Sequence, residues 1–134
     1  MYICVDFDGT VVDHRFPFIG KPVPGAIDWL KQFNKLGAKI ILFTMRSDNN
    51  QKPQNACDFL TQAVTYLESA GIKLFGINKN PTQDTWTSSP KAYGEVYIDD
   101  AACGCPLIHP DGFSRPCVDW SIVGPIIEAK IKGE

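Results

Sequence analysis

Short apolar runs that alternate with stretches of helical spacing leave this chain few ways to fold. Tyr2 to Phe7 carries Ile3, Cys4 and Val5 and stops at a polar Asp-Gly turn, which reads as a buried strand. Pro17, Gly20 and Pro22 speak against a long helix between Asp13 and Val23. A helix is predicted to begin near Pro24, because proline suits a first helical turn. Ala26, Ile27, Leu30 and Phe33 fall on one face of it, and Gly37 supplies a stop. Lys39 to Phe43 predicts a second strand, apolar enough to be covered on both faces as parallel sheets require.

The polar stretch Thr44-Met45-Arg46-Ser47-Asp48 reads as a loop. After it, Ala56, Phe59, Leu60, Ala63, Val64 and Leu67 predict the clearest helix, closed by Gly71. Leu74 to Ile77 predicts a third strand and Glu95 to Ile98 a fourth. The span from Asn78 to Gly94 reads mostly as loop, with one short helical turn at Ser89-Pro90-Lys91. Pro106 to Ile108 suggests an edge strand, and Val123, Ile126, Ile127 and Ile131 a final helix. This alternation predicts an α/β fold, a single doubly wound, Rossmann-like parallel sheet flanked by helices. At 134 residues the whole chain, 1–134, fits one domain.

Composition narrows the function classes. No run approaches the ~20 apolar residues of a membrane helix, so the expectation is a cytoplasmic protein with no membrane partner. A net charge of −2 speaks against a protein built to coat nucleic acid. The five cysteines include Cys103, Cys105 and Cys117, with His109 close by. Structural zinc sites space their paired cysteines two to four residues apart. Cys103-Gly104-Cys105 is tighter than that, so reduced thiols are the expectation.

In doubly wound sheets, ligands gather beyond the carboxyl ends of the strands. Asp6 and Asp8 close the first strand, Thr44 the second, and Asp99 with Asp100 the fourth. Four carboxylates on one rim repel unless a cation compensates or some bind protons. An all-oxygen set of this kind suits magnesium.

These residues stand in a recognisable order. Asp6-Phe7-Asp8-Gly9-Thr10 after an apolar strand resembles the first motif of haloacid dehalogenase-like (HAD) hydrolases. Thr44 after Ile40-Ile41-Leu42-Phe43 resembles the second, and Tyr97-Ile98-Asp99-Asp100 the acidic fourth. The third is a lysine shortly before the acidic pair; Lys91 fits, and Lys79 competes. Response-regulator receivers also gather acids, a Thr and a Lys around magnesium, but their order differs from this one.

The resemblance implies a magnesium-dependent phosphatase in which Asp6 attacks phosphorus and Asp8 serves as acid and then base. Asp6, Asp8 (through its carbonyl), Asp99 and Asp100 would hold Mg2+, while Thr44 and Lys91 would contact the phosphoryl group. Arg46, His14, Asn78 and Lys79 are candidate substrate contacts. Both intervals in which family members insert a cap domain are short here. A capless, open site is therefore expected, closed if at all by a second copy in a homo-oligomer. The expected partner is a phosphorylated small molecule, nucleotide or polynucleotide end. The rival expectation is a non-catalytic protein that binds or sequesters a phosphate ligand on the same fold.

Overall fold

The structure, a computed structural model, describes residues 1–49 and 56–134. Its centre is a parallel four-stranded sheet of β1 (Tyr2–Val5), β2 (Lys39–Leu42), β5 (Leu74–Ile77) and β6 (Val96–Ile98), in the order β5-β2-β1-β6. Ile3 pairs with Ile40 and with Val96, and Val5 with Leu42 and Ile98, so β1 is hydrogen-bonded on both sides. The chain winds outward from β1 to β2 and β5, then jumps back across β1 to β6. That reversal at β1 is the topological signature of a doubly wound sheet. No helix among the described residues is long and apolar enough to cross a membrane.

Helices α1 (Ala26–Lys35), α2 (Phe59–Ser69) and α3 (Trp120–Lys132) connect or follow these strands. All three send buried residues into one core. Leu30 and Phe33 of α1, Ala63 and Leu67 of α2, and Trp120 and Ile127 of α3 meet Ile3, Val5, Ile40, Leu42 and Ile98 of the sheet. The opposite face presents Tyr2, Cys4, Ile41 and Phe75, where Ala92 joins a much smaller cluster. The expected parallel sheet flanked by helices is thus present, and the three helices pack on one of its faces. A right-handed return from β5 to β6 must cross the second face, and the segment 78–95 that makes it contains no α-helix.

That segment is held by one side chain. The buried Gln83 amide donates to the carbonyls of Ser89 and Lys91 and accepts from the backbone amides of Asn80 and Tyr93. Its only helical piece is a 3₁₀ turn at Gln83–Thr85. The helical turn expected at Ser89-Pro90-Lys91 is absent, because the Ser89 hydroxyl accepts the Lys91 amide in a local turn instead.

Three other boundaries differ from expectation. Helix α2 begins at Phe59, leaving Ala56 outside and exposed. Its opening amides are capped from a distance, since Asp48 accepts from the Leu60 and Thr61 amides and from the Thr61 hydroxyl. Asp48–Asn49 (β3) and Cys57–Asp58 (β4) form a short antiparallel ribbon beside it. Leu107–Ile108 (β7) pairs with Cys117–Val118 (β8) in a separate two-stranded ribbon and adds no strand to the main sheet. Helix α3 starts earlier than its apolar spacing suggests, because Asp119 caps it by accepting the Ser121 amide.

Helices α1 and α3 cross at Gly124, where a Cβ would lie 2.2 Å from the Trp29 ring. Gly124→Ala improves helix propensity but overpacks this crossing. We expect it to destabilise the protein by about 1–3 kcal/mol, a drop in Tm of several degrees in thermal denaturation.

Candidate active site at the carboxyl ends of β1 and β6

Asp6 follows β1 directly, and its backbone amide donates to the Ile98 carbonyl at 2.9 Å, which extends the β1–β6 pairing by one step. The chain then turns at Gly9, whose φ of +86° is left-handed. A Cβ there would lie 2.4 Å from Asp100 Oδ2 and 2.5 Å from His14 Nε2, so only glycine admits both groups. Thr10 ties the two strand ends together. Its fully buried hydroxyl donates to Asp6 Oδ2 at 3.3 Å and accepts the Asp100 amide at 3.2 Å. The Trp120 indole N–H in turn donates to the Thr10 carbonyl.

The result is a cluster in which carboxylate oxygens of Asp6, Asp99 and Asp100 all lie within 4.8 Å of one another. A hard cation held ~2.0–2.6 Å from each oxygen can bridge that span, and three carboxylates are the donor set such an ion selects. Burial first, then the charge of Asp99, pushes the Asp6 carboxyl from its ordinary 3.8 up to about 8, against a lowering hydrogen bond from the Phe7 amide. Asp99 and Asp100 remain at the open rim, where Asp99 Oδ1 accepts the Ala101 amide.

Asp8 stands apart from this cluster. Both its oxygens accept from Arg46, Oδ2 from Nε and Oδ1 from Nη2, each at 2.8 Å. Arg46 was expected to reach a substrate phosphate, and the structure corrects this. A guanidinium has five N–H donors. Here they go to the two Asp8 oxygens and to the carbonyls of Pro17, Phe18 and Phe59, with the rings of Phe7 and Phe16 about 5 Å away. No donor remains for a ligand, and the side chain is 1% exposed.

Asp6, Asp8, Thr44, Arg46, Asp99 and Asp100 share the wall of one open cavity of about 620 Å3 with His14, Phe16 and Arg115. The Thr44 hydroxyl oxygen accepts the Arg46 amide at 3.1 Å, leaving its proton free to point at a ligand. Asn78 plays a different part from the one expected. Held at φ 55°, it accepts the Thr44 amide on its side-chain oxygen at 2.8 Å, so it positions Thr44 and does not line the cavity.

Neither candidate lysine comes to this cavity. Lys91 lines a separate hollow on the second face with Trp86 and Tyr93, its ammonium 5.3 Å from the Tyr97 ring centre. Lys79 pairs with Asp84 at 2.6 Å on the surface. Lys91 belongs to the segment that roofs the helix-free face, and this places it over Tyr97.

The structure adds one residue that the motifs did not point to. His14 Nε2 lies 3.1 Å from Asp100 Oδ2, and an Arg115 Nη2 donates to His14 Nδ1. Since Nδ1 accepts, Nε2 carries the proton and donates to Asp100. Arg115 is brought in by its neighbour. The Ser114 amide and hydroxyl donate to the buried Asp13 carboxylate, and the hydroxyl also lies 2.7 Å from the His14 carbonyl. Burial alone would raise the Asp13 carboxyl, but Ser114 and Arg15 outweigh it and hold it below the usual range. The only signal for Arg115 in the sequence is a lone cation in a turn-rich stretch, ~15 residues beyond the acidic pair.

No protein-family model matches the chain. No curated protein matches it either. A solved structure of a conserved protein from Bacteroides thetaiotaomicron is similar, with a TM-score of 0.74 and 29% identity over 97% of this chain and 91% of that one.

Two outcomes follow from this geometry. Arg46→Met leaves Asp8 without its partner in a largely buried place and should cost about 3–5 kcal/mol in chemical denaturation, whereas loss of a mere ligand contact would leave stability unchanged. Asp6 retains a proton in the native state that the unfolded chain releases, so its contribution to stability declines as pH rises from about 4 to about 8. Without divalent cations, thermal melts across that range should show a falling component that is missing in Asp6→Asn.

Proposed function

We propose that the protein is a divalent-metal-dependent phosphatase of HAD type that hydrolyses a phosphomonoester through an aspartyl phosphate on Asp6. The observation that carries this reading is the meeting of Asp6, Asp99 and Asp100 within 4.8 Å on one wall of a cavity that Thr44 and Asp8 also line. The acidic trio is the fitting holder of Mg2+, which when bound would withdraw charge from a phosphoryl oxygen and let an anionic nucleophile approach phosphorus.

The chain's own residues supply the remaining parts. An Asp6 carboxylate oxygen forms the bond to phosphorus while the bond to the ester oxygen breaks. Asp8 gives the departing oxygen its proton and then takes one from the water that cleaves the acyl phosphate, which returns Asp6 to its starting form. Arg46 orients both Asp8 oxygens for this from behind. The Thr44 hydroxyl, placed by Asn78, is available to a phosphoryl oxygen. The links from β1 to α1 and from β5 to β6 are too short for a cap domain, which fits an open site that admits substrates of different sizes. A phosphorylated metabolite, a nucleotide and a polynucleotide end all meet that description.

The absence of either lysine from the cavity favours a second reading, a protein that binds a phosphate ligand and turns nothing over. One experiment separates them. With magnesium, the protein should release phosphate from p-nitrophenyl phosphate, and EDTA should abolish this. Asp6→Asn should lower kcat by about a thousandfold or more. Phosphate analogues that raise Tm while no ester is hydrolysed would favour the binding reading. Full activity of Asp6→Asn would eliminate the covalent route.

A further inference from the structure

We propose that Arg115 forms a second anion subsite in this cavity, so that the substrate is a phosphomonoester whose leaving group carries another negative charge. The inference rests on the phosphatase reading for the position of the first phosphate, and on the structure for the rest. Two arginines line the cavity, and their states are opposite. Every donor of Arg46 is taken within the protein. Arg115 is exposed and, among the described residues, spends one donor on His14 Nδ1 and pairs with no carboxylate. Four of its five N–H groups therefore remain for a ligand, including the paired edge that suits a phosphate or carboxylate.

Its position is built into the fold. Buried Asp13 clamps Ser114, and His14 holds the guanidinium itself, so less side-chain freedom is lost on binding than for an untethered arginine. The same imidazole fixes the spacing. Asp100 and Arg115 are separated by one imidazole ring and two hydrogen bonds, roughly 8 Å at most. That distance fits two anionic groups on a sugar ring or short carbon chain better than the adjoining phosphates of a diphosphate. Phe16 and Met45, both exposed at the mouth, leave an apolar border for the carbon skeleton between them. The acidic trio alone would repel a doubly anionic substrate; a fixed cation opposite it gives the second charge a place to go.

The test compares glucose 1,6-bisphosphate with glucose 6-phosphate, with magnesium present, in the wild type and in Arg115→Gln. The wild type should favour the bisphosphate in kcat/KM, and Arg115→Gln should reduce that ratio by about tenfold or more. An equal loss on both substrates would overturn the proposal, since Arg115 would then act only by way of His14 and Asp100. A ratio that does not change would overturn it as well. Binding of the same two sugars to Asp6→Asn, with and without Arg115→Gln, reads the subsite without turnover. Arg115-dependent binding of the bisphosphate in a wild type that hydrolyses neither sugar nor p-nitrophenyl phosphate would sustain the subsite and refute the phosphatase. Hydrolysis with no Arg115-dependent discrimination would do the reverse.

Discussion

Like charges at short range set the terms for the whole carboxyl rim. Two carboxylates 4.8 Å apart repel by about 3 kcal/mol at an effective dielectric near 20, and three are gathered here. The fold holds them through contacts that do not depend on charge balance. Thr10 bridges Asp6 and the Asp100 backbone, Gly9 lets Asp100 and His14 approach the turn, and His14 donates to Asp100. Burial first, and then the charges of Asp99 and Asp100, push the Asp6 carboxyl up to about 8. A positive charge beside these three side chains would offset part of that repulsion.

Topology supplies the gathering point. Because the chain returns across β1 to place β6 beside it, two acidic strand ends some ninety residues apart in sequence become hydrogen-bonded neighbours. The packing that fixes this arrangement lies on one side. Three helices press against Ile3, Val5, Ile40, Leu42 and Ile98, and Trp120 extends from that core to hold the Thr10 carbonyl. The buried indole thus links the packing of α3 to the turn that presents Asp6.

Much of this could be read from the residues alone, for stated reasons. Strands covered on both sides must be continuously apolar, so β1 and β2 announce themselves, the half-buried edge strand β5 shows as a shorter apolar run, and the acids after β1 and β6 announce the rim. What stayed hidden depended on partners distant in sequence. Asp48 caps α2 from across a ribbon, so apolar spacing alone starts that helix too early at Ala56. Arg46 looks like a free cation beside a rim threonine until Asp8 and three backbone carbonyls are seen to consume it. Lys91 sits at the right interval before the acidic pair, yet interval does not say on which face of the sheet its segment passes. Arg115 belongs to no motif, and only the clamp of Ser114 by Asp13 brings it to the cavity.

The helix-free face has its own meaning for how the molecule moves. There the sheet is roofed by a loop that one glutamine amide knits together, with few apolar contacts beneath it. Such a cover lifts at a smaller free-energy cost than the helical side, whose separation would empty the main core. Under it lies Cys4, a thiol that burial pushes up to about 11 and thereby keeps unreactive. Lifting that cover would bring the sulfur to solvent and remove the burial that raises its thiol, on the side of the sheet away from the principal core.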